Sequence, residues 1–103
     1  MKGVNYNYKV WLEYKGKPLM GKGRYQLLKT IQATSSLKKS AAKLGLSEKT
    51  VHNYIRRIEQ RLEKKVIHSY KGGKKGGGST ELTPLGLNLI KEFEKVRKNI
   101  ERR

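Results

Sequence analysis

The segment from Ser47 to Lys64 carries side chains that could recognise nucleic-acid bases. On a helical wheel of about 100° per residue, its apolar and polar residues separate cleanly. The apolar side holds Val51, Ile55, Ile58 and Leu62, and the opposite side holds Lys49, Asn53, Arg56 and Gln60, with Arg57 beside them. Arginine can pair with guanine and asparagine with adenine through two hydrogen bonds, each good pair contributing about 1–3 kcal/mol of discrimination. The pattern predicts a helix that reads base edges in the major groove.

The candidate DNA contacts extend from this helix to the residues before it. Lys39 and Arg57 are suited to phosphates, and Ser47 could both cap the helix and touch a phosphate. A solvated surface side chain remains the alternative for any single residue of the set. The expected contacts are Lys39, Ser47, Lys49, Thr50, His52, Asn53, Arg56 and Arg57.

A glycine-lysine segment, Lys71 to Ser79, contains a second set of cations and no acid. Its glycines would let the backbone approach a duplex closely, and Lys71, Lys74 and Lys75 would neutralise phosphates. The alternative is a flexible and merely soluble hairpin tip. A Walker-type phosphate loop is not predicted, because the Gly-x-x-x-x-Gly-Lys-Ser/Thr pattern is missing.

Residues suited to catalysis or metal binding are scarce. The chain has no cysteine, its acids are all glutamate, and His52 and His68 are the only histidines. A thiolate zinc site is therefore excluded, and no nucleophile, base and acid group together in the sequence. We expect no enzyme activity, no metal and no cofactor.

The charge balance points to a polyanionic partner. The 103 residues include 25 Lys and Arg against 8 acids, a formal net charge of +17. Repulsion among so many like charges destabilises the folded chain, so a charge of this size usually indicates a polyanionic partner. Double-stranded DNA is the expected partner, with an acidic membrane surface second. No apolar run reaches the ~18 residues of a membrane span, and the N-terminus has no signal-peptide core. We expect one cytoplasmic domain, 1–103.

The residue pattern predicts an α+β, mainly α fold in four parts. Residues 1–22 should form an N-terminal strand, Tyr6 to Tyr14, and a turn at 15–18. Residues 23–65 should form three helices, residues 66–83 a β-hairpin and residues 84–103 a last helix opened by the Thr83 cap. The predicted helices span Arg24 to Thr34, Leu37 to Leu44 and Ser47 to about Lys64, and the hairpin strands span Val66 to Tyr70 and Thr80 to Leu82.

Small, glycine and branched residues recur at helix-turn-helix spacing. Ala41 or Ala42 leaves room for the next helix to cross, and Gly45 suits the tight turn. Val51 and Ile55 would anchor the second helix of the motif to the core, so that its outer face is held for the major groove. With the hairpin that follows, which we call the wing, the spacing predicts a winged helix-turn-helix.

The last helix has an apolar stripe that could pair two copies of the chain. Leu85, Leu89, Phe93, Val96 and Ile100 are spaced by 4, 4, 3 and 4 residues. A repeat near 3.5 favours a homodimer interface, and packing on the chain's own core is the alternative. Trp11, on the polar face of the first strand, is interpreted as a dimer contact or as a lid over the core edge, with direct DNA contact as the less favoured alternative. A dimer would place two recognition helices about 34–36 Å apart.

The residues that carry these patterns also resemble a known family. GKGRYQLLKTIQATSSLKKSAAKLGLS, GGKKGGGS and LTPLG are similar to the N-terminal domain of ModE-type molybdate-responsive regulators, and AAKLGLSEKTVHNYIRRIEQRL resembles LysR-type regulators. The resemblance implies a winged-helix fold, dimerisation and operator binding. Glu48 and His52 depart from it, because the family usually has aromatic residues there. ModE regulators carry molybdate-binding domains after this one, so no small-molecule effector domain is expected in this chain and molybdate sensing is not supported.

Four functions fit the sequence to different degrees. A sequence-specific, dimeric transcription regulator is the first, and an architectural, weakly specific chromatin-like protein is the second. An interaction module for acidic protein partners is the third. RNA binding is weaker, because no sheet face studded with aromatic residues is evident.

Overall fold

The computed structural model describes residues 1–70 and 79–101. In chain order the elements are β1 (Trp11–Tyr14), β2 (Lys17–Gly21), α1 (Lys22–Thr34), α2 (Leu37–Leu44), α3 (Glu48–Leu62), β3 (Ile67–Tyr70), β4 (Ser79–Leu82) and α4 (Pro84–Glu101). The strands form two separate antiparallel hairpins, β1 with β2 and β3 with β4. The predicted order of three helices, hairpin and last helix is confirmed.

Local capping residues set the bounds of α2. The Ser36 side chain accepts a hydrogen bond from the backbone N–H of Lys39, which satisfies a free donor at the helix start. At the other end Gly45 adopts φ +67°, and its N–H returns to the carbonyls of Ala41 and Ala42. The helix therefore runs over the residues predicted for it.

The core lies where α1, α3 and α4 converge. Residues with almost no exposed surface come from each of these helices and from the chain just before β3, for example Leu28, Ile58, Phe93 and Val66. Met20 of β2 is also buried, so the N-terminal hairpin closes one side of this core. Burial of such side chains contributes about 1.5–3 kcal/mol each.

The N-terminal segment differs from the prediction. The strand begins at Trp11 instead of Tyr6. No second strand was predicted, because residues 15–18 were expected to form only a turn. Lys15 and Gly16 both have positive φ, +50° and +79°, which is the backbone of a two-residue hairpin turn. The chain therefore reverses at once, and β2 is long enough to pair only as far back as Trp11. Within residues 1–70 and 79–101, no strand pairs with the residues before Trp11.

The base of the wing is a regular hairpin. Ile67 pairs with Leu82 and Tyr70 with Ser79, in continuous antiparallel register. The tip between them, residues 71–78, lies outside the described residues, and with it Lys71, Lys74 and Lys75.

The last helix begins at the predicted cap and packs closely on the chain that precedes the wing. Thr83 Oγ1 accepts a hydrogen bond from the N–H of Gly86, and the N–H of Thr83 donates to the carbonyl of Val66 at 3.0 Å. A Cβ placed on Gly86 would come within 2.5 Å of that same carbonyl oxygen. Glycine at this position lets the first turn of α4 lie directly on Val66.

Candidate nucleic-acid interface

Helix α3 is fixed at its start and along its inner side. The Ser47 hydroxyl accepts from the N–H of Thr50 at 3.0 Å, and its own proton is donated to the Thr50 hydroxyl at 2.9 Å. Val51, Ile55 and Ile58 are buried, as the apolar stripe predicted. The opposite face of α3 is therefore held rigidly toward solvent.

The predicted base-reading side chains lie on that outer face. Lys49, His52, Asn53, Arg56 and Arg57 are all exposed. Among the described residues, Lys49, Asn53 and Arg56 make no side-chain hydrogen bond or ion pair. Their donors and acceptors are free to meet a ligand without first breaking a bond inside this part of the chain.

Two other candidates are placed differently. Thr50 is half-buried, and its hydroxyl already takes part in the cap of α3 with Ser47. Lys39 is exposed on α2, where its backbone N–H, not its ammonium group, is used in the cap. Thr50 therefore serves the start of the helix, and the ammonium group of Lys39 is exposed on α2.

The wing base is attached to α3 by Glu59, a residue that the sequence did not single out. Its carboxylate accepts from the N–H of Val66 at 2.8 Å, and its other oxygen lies 3.8 Å from Lys65 Nζ. The side chain is 17% exposed. A second bond, from the N–H of Thr80 to the carbonyl of Ser35 at 2.9 Å, attaches β4 to the link between α1 and α2. The wing base is thus joined to α3 through Glu59 and to the end of α1 through Ser35.

An open cationic cleft of about 700 Å³ lies between α3 and the N-terminal hairpin. The cations that line it are Lys15, Lys17, Arg24, Arg57 and Arg61. Of these, only Arg57 was predicted to contact DNA. The others were missed because β2 was not predicted, and only the pairing of β1 with β2 brings the hairpin beside α3. The one signal for them was the high charge itself.

His52 and His68 line a different cleft, between α3 and β3, and His68 packs edge-on against the Tyr70 ring with centroids 4.8 Å apart.

Within residues 1–70 and 79–101 no three histidine, cysteine or acidic side chains are grouped as a metal site would require. In the same ranges, no helix combines the length and apolarity needed to cross a bilayer.

Burial in the single chain divides the residues that were predicted for a dimer interface on α4. Leu89 is 8% exposed and Phe93 is 1% exposed, both within the chain's own core. The Phe93 ring stacks on Tyr25 at 4.4 Å. These two residues therefore hold α4 to its own domain and have little exposed surface in the single chain. Leu85, Val96 and Ile100 remain half-buried, and Trp11 is 54% exposed.

Tyr25 also anchors α4 through its hydroxyl group. It donates to Glu94 at 2.6 Å, and Lys29 lies 3.5 Å from the same carboxylate oxygen. Burial and the bond to Glu94 raise the pKa of Tyr25 to about 12. The same hydrogen bond lowers the pKa of Glu94. The pair fixes α4 against α1, the helix that also carries the wing attachment at its end.

No protein-family model matches the chain. A curated relative, the molybdenum-pterin-binding protein MopB of Rhodobacter capsulatus, is 33% identical over 81 residues, which are 79% of this chain. The match takes in 30% of MopB, so the chain spans less than a third of that relative's length.

Solved structures of similar fold include two DNA complexes and a transcriptional regulator. The BenM DBD in a complex with catB site 1 DNA has a TM-score of 0.56 at 18% identity, over 76% of this chain and 80% of that one. S. aureus MepR in a DNA complex has a TM-score of 0.60 at 20% identity, over 81% and 60% of the two chains. The PcaV transcriptional regulator of Streptomyces coelicolor has a TM-score of 0.63 at 15% identity, over 84% and 61%. The predicted fold class is confirmed: this chain is a mainly helical α+β winged helix.

Proposed function

We propose that this chain is a DNA-binding domain that regulates transcription as a homodimer, with α3 in the major groove and the wing on the DNA backbone. The observation that carries the proposal is the outer face of α3. Lys49, Asn53 and Arg56 are exposed there on a helix whose start is capped and whose inner side is buried. These are the side-chain types that discriminate base edges.

The fold supports the same assignment. BenM and MepR, two of the structurally similar proteins, are bound to DNA in their structures. The likeness to MopB supports a ModE-like relation, in agreement with the sequence resemblance. A formal net charge of +17 adds attraction to phosphates, so affinity should fall as salt rises.

The dimer interface that we propose uses the part of α4 beyond the core, together with the N-terminal segment. Val96 and Ile100 continue the apolar stripe past Phe93 and are half-buried in the single chain. Tyr8 donates to Glu101 at 3.1 Å, so the N-terminal segment lies along the same end of α4. Trp11, exposed near the groove that these elements form with Phe93, would be covered in a dimer.

The test is a selection of bound sequences from a random DNA pool, followed by binding of two double variants. Asn53→Ala with Arg56→Ala should weaken binding to the selected site by about 30-fold or more, since each base contact contributes about 1–3 kcal/mol. The matched control is Asn99→Ala with Lys95→Ala, which removes an amide and a cation from the exposed side of α4. The control should bind within a few-fold of the wild type.

Two results would contradict the proposal. Failure of the pool to converge on any sequence would argue against specific regulation. Equal losses for both double variants would argue that α3 does not read bases. Both results together, with strong binding to random DNA, would favour the second candidate function, an architectural protein. Its supporting observation is that cations also lie far from α3, for example Lys91, Lys95 and Lys98 on α4.

A further inference from the structure

Helix α3 is flanked by hairpins on both sides. The wing strand β3 borders the side that carries His52 and Glu59, where the two elements share a cleft. The N-terminal hairpin borders the side that carries Arg57 and Arg61. The fold therefore places a second two-stranded projection next to the proposed recognition helix, opposite the wing.

The cleft on this second side is strongly cationic. Lys15 and Lys17 at the hairpin turn, and Arg57 and Arg61 on α3, are exposed around it. Glu63 is the one acid that lines it. The two ion pairs found among the described residues, Lys29 with Glu94 and Lys65 with Glu59, both lie elsewhere. In this part of the chain, the cations around the cleft are not matched by protein anions.

Arg24 forms the floor of the cleft and is already positioned. Its guanidinium donates to the carbonyl of Leu19 at 2.9 Å and lies 5.3 Å from the centre of the Tyr54 ring. Burial, and next the charge of Arg57, lower its pKa. A group that is partly desolvated beside a like charge gains from an anion, and a fixed guanidinium loses little entropy when it binds one.

We propose that Lys15, Lys17, Arg24, Arg57 and Arg61 form a second phosphate-binding surface, which holds the backbone of the same duplex on the side of α3 opposite the wing. This inference rests on the proposed function. The duplex is the favoured occupant because Arg57 belongs both to the cleft and to the outer face of α3, so the two surfaces are continuous. A cleft of about 700 Å³ that is open to solvent also fits a DNA backbone better than a single small anion.

The test measures the salt dependence of DNA binding by the full chain. A triple variant, Lys15→Gln, Lys17→Gln and Arg61→Gln, leaves Arg24 and Arg57 in place. The control triple, Lys91→Gln, Lys95→Gln and Lys98→Gln, removes the same charge from exposed positions of α4. If each lost cation neutralised a phosphate, the slope of log K against log [salt] should become less steep by up to about 2.7 for each bound chain of the cleft variant, or about 5.4 for the proposed dimer. The loss should be the same on selected and random DNA, because phosphates carry no sequence.

The outcomes separate this inference from the proposed function. A wild type that binds its selected site, with a cleft variant whose slope equals that of the control, refutes the inference alone. A wild type that binds no DNA refutes both. An unchanged DNA slope, together with loss of inorganic phosphate binding in the cleft variant, would assign the cleft to a small anion and overturn the inference. Circular dichroism of each variant confirms that the fold is kept.

Discussion

Replacing Gly86 with alanine tests how closely α4 rests on the chain before the wing. The added Cβ would lie 2.5 Å from the carbonyl oxygen of Val66 and 3.3 Å from Cβ of Leu82. A carbon and an oxygen in contact normally stay more than 3 Å apart, and the oxygen belongs to the backbone. It also accepts the hydrogen bond of Thr83, so it cannot move without disturbing the start of α4.

The expected magnitude is the balance of two effects. Forcing an extra carbon into a packed site costs about 1–3 kcal/mol. Alanine in place of glycine in a helix stabilises the folded state by about 0.5–1 kcal/mol. The free energy of unfolding should therefore fall by up to about 2.5 kcal/mol, which lowers the Tm of a domain of this size by up to roughly 20 °C.

Gly23 provides the matched control for this prediction. It lies in α1, and a Cβ on it would meet nothing within 4 Å. Gly23→Ala should raise the free energy of unfolding by at most about 0.5–1 kcal/mol, because only the helix propensity changes and Gly23 lies in the first turn of α1. The measurement is urea unfolding followed by circular dichroism. A Gly86→Ala protein as stable as Gly23→Ala would refute the close contact between α4 and Val66.

Two further predictions concern partly buried hydrogen bonds. Tyr25→Phe should lower the free energy of unfolding by about 1 kcal/mol at pH 7. The folded pKa of about 12 lies above the unfolded value near 10, so the contribution of the phenol is present below pH 10 and lost toward pH 12. Urea unfolding at pH 7 and pH 11 should show the gap to wild type narrowing, and a constant gap would contradict the bond to Glu94. Glu59→Ala should lower the free energy of unfolding by about 1–3 kcal/mol, because it leaves the N–H of Val66 without a partner. Hydrogen exchange of that N–H should accelerate, and unchanged exchange would show that the carboxylate does not protect it.

The helices were predictable from local signals. Ser36 and Gly45 bound α2, and Ser47 begins α3, because caps and left-handed ends depend on residues within one turn. The outer face of α3 followed from the same logic, since an apolar stripe fixes which side chains remain outside. Asn53 and Arg56 are exposed as that periodicity required.

The N-terminal hairpin was not predictable by the same means. Lys17 and Pro18 are typical of turns, yet here they open β2, where proline is tolerated because each strand of a two-stranded hairpin is an edge. The turn itself is Lys15 with Gly16, a pair less diagnostic than Asn-Gly. Because β2 was not predicted, the cationic cleft was not predicted either. The cleft exists only when the hairpin folds back beside α3.

The apolar stripe of α4 had two structural interpretations, and the spacing of its residues alone cannot distinguish them. A repeat near 3.5 residues suits both a partner helix and the chain's own core. Burial divides the stripe, with Leu89 and Phe93 in the core and Val96 and Ile100 at its edge. Glu59 was overlooked for another reason. Its partner is a backbone N–H seven residues later, and such a bond leaves no pattern of side-chain types.

The attachment of the wing base to Glu59 and Ser35 has a consequence for how the protein would discriminate DNA. Because the wing base is attached to the helices, the fold fixes the distance between α3 and the wing. The distance between the groove that α3 would enter and the DNA backbone that the wing would contact is therefore fixed as well. Duplexes whose minor groove or bend already suits that span would bind at lower deformation energy. Base pairs that no side chain touches should therefore still influence affinity.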